Sequence, residues 1–99
     1  MANVIYYVSY KLKKGVSDTE FLAAAEVLRN EYMSKQKGYI SWQHLVEGDL
    51  WVDLLTLETM EDAMRVSNPT EPNEFAEKFY ACINLNSCKA HLFTVAKSY

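Results

Sequence analysis

Residues 39–58, YISWQHLVEGDLWVDLLTLE, decide how this chain is read. Two apolar runs rich in β-branched and aromatic residues flank Gly48-Asp49, a two-residue loop of the type that closes a β-hairpin. The spacing predicts strands over 39–47 and 50–58. If Gly48 and Asp49 form the loop, Val46 pairs with Trp51, His44 with Asp53, Trp42 with Leu55 and Ile40 with Leu57. Strict alternation then puts these eight side chains on one face of the hairpin. The other face carries Ser41, Gln43, Leu45, Val52, Leu54 and Thr56, a lighter and more polar set.

Outward from the hairpin, residues 4–12, VIYYVSYKL, read as a first strand. Ser17 stands three residues before Glu20, the spacing of a helix N-cap. Phe21, Ala25, Leu28 and Tyr32 then form one apolar stripe on a helix expected to reach about Gln36. After the hairpin, Thr59 and Asp62 open a second helix. Pro69 and Pro72 break it at 68–72, and it resumes over 74–83 with Phe75, Phe79 and Ile83 on one side. A last strand is expected at about 89–97. The order is β-α-β-β-α-β. That is the α+β, ferredoxin-like arrangement of one four-stranded antiparallel sheet with two helices on one face. The 99 residues make a single domain, 1–99.

The bulkier rows are expected beneath the helices: Tyr6 and Tyr10 on the first strand, Trp42, His44, Trp51, Asp53 and Leu57 on the hairpin, and His91 and Phe93 on the last strand. His44, Asp53 and His91 are the polar exceptions on that greasy face. A carboxylate beside an imidazole is an acid/base couple, with the carboxylate orienting the ring, and these three are the candidate catalytic residues. Tyr6, Tyr10, Trp42, Trp51, Leu57 and Phe93 would wall a cleft for a small flat apolar ligand. A plain structural reading stands beside this one: His44–Asp53 as a satisfied pair at a sheet end, and the tryptophans as packing.

The lighter face would be uncovered in a monomer. Ile5, Tyr7, Leu45, Val52, Leu54 and Leu92 there predict a second copy packed sheet against sheet, a homodimer.

Composition narrows the partners. Apolar residues make up 49% against only three glycines and two prolines, which excludes a disordered or collagen-like chain. A net charge of -3 disfavours nucleic acid, and no apolar run is long enough for a membrane span or a signal peptide. A cytoplasmic location is expected, with Cys82 and Cys88 reduced. No zinc-ligand spacing, glycine-rich phosphate loop or nucleophile elbow occurs, so neither metal nor cofactor is expected.

The motifs KGYISWQHL, LWVDLLTLETMEDA and KAHLFTVA, with the broken second helix between the last two, resemble the dimeric α+β barrel superfamily, which includes the antibiotic biosynthesis monooxygenases. The resemblance spans nearly the whole chain and is closest to an uncharacterised branch, in which Trp51, Asp53 and His91 match recurring positions. It implies a homodimer with a ligand cavity between sheet and helices. It also implies oxygenases that use neither metal nor flavin, because an electron-rich aromatic substrate supplies the electrons. Two departures stand out. Leu57 occupies a position where oxygenase-like members often carry Trp. The second helix, 59–83, lacks the histidine that ligates heme in the heme-degrading relatives, so heme is not expected.

Three functions follow as expectations. The first is a dimeric module binding a small hydrophobic or aromatic metabolite. The second is a cofactor-independent monooxygenase or isomerase acting on an aromatic or enolic substrate through His44 or His91 with Asp53. The third is a component that docks another protein through an exposed edge.

Overall fold

The computed structural model describes residues 2–99. Strands β1 (Val4–Leu12), β2 (Tyr39–Glu47), β3 (Leu50–Leu57) and β4 (Ile83–Thr94) alternate with helices α1 (Asp18–Glu31), α2 (Met60–Ser67) and α3 (Glu74–Tyr80). The sheet is antiparallel in the order β2-β3-β1-β4, the ferredoxin-like topology.

Local chemistry sets the element ends. The Ser17 hydroxyl accepts from the Glu20 N–H, Thr59 accepts from the Asp62 N–H, and the Asn73 carboxamide oxygen accepts from Phe75 and Ala76. Each satisfies backbone donors that a helix start leaves orphaned. Helix α1 ends at Glu31, and a single 3-10 turn, Met33–Lys35, follows it, so the helix is one turn shorter than the apolar stripe predicts. Helix α3 ends at Tyr80 rather than at Ile83. Ile83 instead starts β4, where it pairs with Leu12 and is fully buried.

The hairpin register is as expected for Val46–Trp51, His44–Asp53 and Trp42–Leu55. Gly48 takes φ +61° at the first loop position, and among the described residues no non-glycine residue has a positive φ, which is the pattern of a II′ turn. The predicted Ile40–Leu57 pair does not form. Leu57 pairs with Tyr39, because Ile40 is an extra residue bulged out of β2 and is 44% exposed. Tyr39 thereby takes the inward place.

The last strand departs furthest from expectation. Lys11 pairs with Asn84, but Ser9 pairs with Lys89, so five positions of β4 oppose two steps of β1. The extra residues leave the ladder as an excursion. The Ser87 hydroxyl secures it by accepting from the Lys11 N–H and donating to the Asn84 carbonyl. An odd number of inserted residues reverses the in/out alternation. Ile83 points in before the excursion; Ala90 and Leu92 point in after it. His91 and Phe93 therefore lie on the open face of the sheet.

Two buried clusters fill the space between sheet and helices. One joins Tyr10, Phe21, Ala25, Leu28, Trp51, Phe79, Cys82 and Ile83. The other joins Val4, Leu55, Leu57 and Ala63. Phe21 centres the first, with ring centroids 4.9 Å from Trp51, 5.2 Å from Phe79 and 5.8 Å from both Tyr10 and His44.

Candidate functional site

Strand β3 carries Asp53 into the middle of the sheet, between His44 on β2 and Val8 on β1. Its carboxylate is almost fully buried. A buried charge persists only where hydrogen bonds replace water. Asp53 has two: the Tyr10 hydroxyl donates to Oδ1 at 2.6 Å, and His44 Nδ1 lies 2.7 Å from the same oxygen. Among the described residues, no protein donor reaches Oδ2.

A cavity of about 220 Å³ opens against this carboxylate. Tyr6, Val8, Tyr10, Trp42, Asp53, Leu55 and Ala90 line it from the sheet. Leu28, Met33, Phe79 and Tyr80 close it from α1, the turn after it and α3; Ile83 and Cys88 complete the wall. The lining is apolar and aromatic, with the polar groups concentrated around Asp53.

Burial and the Asp53 charge act together on the neighbouring acids. Burial, reinforced by the Asp53 charge and its hydrogen bond, drives the Tyr10 phenol far above its usual range. Burial raises Tyr6 too, with Cys88 and Asp53 adding to the effect. Tyr80 is pushed up to about 12 by burial and by Tyr6, Asp53 and Cys88. The Cys88 thiol rises through burial and Asp53. The cavity thus presents protonated hydroxyl and thiol donors around one acidic acceptor, and Cys88 is not an activated thiolate.

The sequence-predicted residues separate into three groups. Tyr6, Tyr10, Trp42 and Asp53 line the cavity. His44 bonds Asp53 but stands behind it, boxed in by Trp42 at 4.5 Å, Phe21 and Phe79. Four assignments need correction. Trp51 is buried under Phe21 as core, not cavity wall. Leu57 is fully buried with Val4 and Ala63 in the other cluster. His91 and Phe93 lie on the opposite face of the sheet, 5.6 Å apart and each about 6 Å from Tyr7. Leu92 is the matching error: assigned to the open face, it packs inward against the second cluster. Bulk alone does not assign a strand's side when an unseen bulge resets its parity.

Sequence reasoning also missed Tyr80, Cys88, Leu28 and Met33 as wall residues. The stripe containing Leu28 was visible, but not that its end borders a cavity. Among the described residues, no three His, Cys, Asp or Glu side chains converge as a metal site, and no helix is long and apolar enough to cross a membrane.

A four-stranded antiparallel sheet with helices on one face and a cavity between the two layers defines a ferredoxin-like α+β protein. Its structural neighbours are antibiotic biosynthesis monooxygenase-like proteins of that fold. SnoaB, a cofactor-independent oxygenase from Streptomyces nogalater, superposes with a TM-score of 0.76 at 16% identity, covering 99% of this chain and 97% of that one. A Bordetella bronchiseptica protein provisionally assigned as an antibiotic biosynthesis monooxygenase gives 0.76 at 14% identity, covering 98% and 100%. A conserved protein from Methanosarcina mazei Go1 gives 0.72 at 14% identity, covering 94% and 92%. No family model and no curated protein sequence matches the chain.

Proposed function

We propose that this protein binds a small, flat, neutral aromatic or enolic metabolite in the cavity beside Asp53, and does so as a homodimer. The observation that carries this reading is the unbonded Asp53 Oδ2 at the edge of an otherwise apolar, ring-lined space. An unbonded carboxylate oxygen left accessible beside that space favours a ligand that brings an O–H or N–H donor, and it disfavours an anion. Trp42 and Tyr6 offer ring surfaces against which such a ligand stacks.

The dimer rests on the open sheet face. Leu45 is 45% exposed and Phe93 53% exposed, and Tyr7, His91 and Phe93 form one aromatic group there. A second copy packed sheet on sheet covers that apolar surface.

A second reading is catalytic: a cofactor-independent oxygenase or isomerase. The network at Asp53 supports it, as does the shared fold with SnoaB, a cofactor-independent oxygenase. The placement of the groups reassigns the roles. Asp53 Oδ2 accepts the proton of the substrate phenol or enol, while His44 and Tyr10 hold the carboxylate from behind as positioning residues. His91, on the other face, takes no part in that step.

Native mass spectrometry of the freshly purified protein, followed by titration of 2-naphthol into wild type and Asp53→Asn, tests the binding reading. Saturable binding weakened about tenfold or more by the substitution is expected. Equal binding by both proteins would overturn it. Turnover of an electron-rich phenol under dioxygen, abolished in Asp53→Asn, distinguishes the catalytic reading from binding alone.

A further inference from the structure

Three tyrosines line the cavity beside Asp53: Tyr6 and Tyr10 on β1, and Tyr80 at the end of α3. Their hydroxyls differ in what they bond. The Tyr10 hydroxyl is taken up by Asp53 Oδ1 at 2.6 Å. Burial and nearby charge act on Tyr6 and Tyr80, but no hydrogen bond does, so both hydroxyls are unpaired among the described residues. The Tyr6 oxygen is not sealed in either, because among the described residues the one fully buried side-chain atom without a partner is Asn73 Nδ2.

Both free hydroxyls share the space of Asp53. Tyr6 lies on the inward side of β1 with Val4 and Tyr10, and pairs with Leu55 across the ladder. Beyond burial, the groups that act on its phenol are Cys88 and Asp53. Tyr80 is 47% exposed, yet burial raises its phenol, and Tyr6, Asp53 and Cys88 then act on it more strongly than Tyr32. Tyr6, Asp53, Cys88 and Tyr80 all line the one cavity. The hydroxyl end of Tyr80 is therefore turned inward, while the flank of its ring meets water.

An apolar cavity with one free acceptor and two free donors has a definite complement. Asp53 Oδ2 calls for a donor on the ligand. Two phenol O–H groups in apolar surroundings call for an acceptor, and a carbonyl oxygen has two lone pairs to take both. Volume limits the rest. About 220 Å³ lies below the roughly 300–1,000 Å³ of pockets that take drug-sized ligands, so one or two rings fit.

We propose that Tyr6 and Tyr80 are the carbonyl-recognising groups of the Asp53 cavity, and that its ligand is a neutral hydroxyaryl ketone or aldehyde of one or two rings. The ligand's hydroxyl donates to Asp53 Oδ2, and its carbonyl oxygen accepts from the two tyrosines. A carboxylate in place of the carbonyl is repelled by the Asp53 charge within the same small space. This inference rests on the proposed use of the Asp53 cavity and names the ligand class for it.

The test separates the two. Calorimetry measures 3- and 4-hydroxyacetophenone binding to the full-length protein, each against the ethylphenol of the same substitution. Each pair differs by one carbonyl oxygen. At least one ketone is expected to bind about five- to tenfold more tightly than its ethylphenol. A carbonyl also makes the phenol more acidic, so 3- and 4-(trifluoromethyl)phenol, acidified without a carbonyl, serve as further controls. The favoured ketone should outbind its trifluoromethyl control as well. Tyr6→Phe and Tyr80→Phe keep the rings and remove the hydroxyls. The ketone-to-ethylphenol affinity ratio should fall in each and approach one in the double variant. Ethylphenols that bind while neither ketone gains would overturn the carbonyl-recognising role and leave the reading of Asp53 standing. A ketone no tighter than its trifluoromethyl control, or a gain that survives both substitutions, would overturn that role too. The wild-type comparisons decide even if a variant fails to fold. If the ethylphenols do not bind at all, the reading of the Asp53 cavity falls, and this inference falls with it.

Discussion

Tyr10 and His44 bond the same oxygen of Asp53, one from each neighbouring strand, at 2.6 and 2.7 Å. The carboxylate thus ties β1, β3 and β2 together through side chains in the middle of the sheet. One oxygen carries both bonds, and the other has no protein partner among the described residues. Removing a partner from such a buried charge leaves a desolvated group unpaired, a larger loss than the bond's net worth.

Tyr10→Phe is expected to lower unfolding free energy by about 1.5–3 kcal/mol, the range for a hydrogen bond to a charged group. Asp53→Ala should cost more, because it strands both the Tyr10 hydroxyl and the His44 nitrogen. Urea unfolding checks this, and the double variant should be destabilised by less than the sum of the singles. Strict additivity would show that the two groups do not share a network.

The tyrosines report the same environment at high pH. The chain has seven, and the folded structure raises Tyr6, Tyr10 and Tyr80 above the ordinary value of 10.0. A phenol whose folded pKa is raised contributes stability that is intact below pH 10 and declines as the pH climbs toward the folded value, because the unfolded chain ionises first. Ultraviolet titration of the native protein should therefore show a late phase from Tyr6, Tyr10 and Tyr80. The late phase should shrink in Tyr80→Phe, and stability should fall less steeply above pH 10 in that variant. A single phase of all tyrosines near pH 10 would contradict the burial.

Gly38 is expected to tolerate no side chain. It sits at φ +86°, and an added Cβ would run into the Asp62 carboxylate. Asp62 cannot easily withdraw, since Arg65 Nη1 bonds it at 3.0 Å while Arg65 Nη2 bonds the Lys37 carbonyl at 2.8 Å. Gly38→Ala should cost about 2–4 kcal/mol from left-handed backbone strain and overpacking combined. Gly15→Ala, at φ +91° with open space around it, should lose only the backbone part. Thermal melts of the two variants make the comparison, and equal losses would rule out the clash.

Phe93→Asp should convert the proposed dimer to monomer, because it puts a charge in the middle of the exposed aromatic group of Tyr7, His91 and Phe93. Sedimentation equilibrium checks this. A wild-type protein that sediments as a monomer would remove the proposed assembly altogether.

Much was legible in the sequence where the deciding chemistry is local. Gly48-Asp49 specifies the hairpin and with it the His44–Asp53 pair. Ser17 and Thr59 mark their helix starts, and Pro69 and Pro72 mark the break between α2 and α3. Ile40, His91 and Phe93 lay beyond that reach. Their sides depend on bulges that appear only when β2 meets β3 and β4 meets β1, and one extra unpaired residue reverses every side chain after it. Tyr10 as a partner of Asp53 is likewise a contact between positions 43 residues apart. Trp51 and Leu57 looked like cavity walls, but the tertiary packing spent them on the core; Leu28, Met33 and Tyr80 became the walls instead. Periodicity says which side chains leave water, but only the meeting of sheet and helices determines which of them leave a gap.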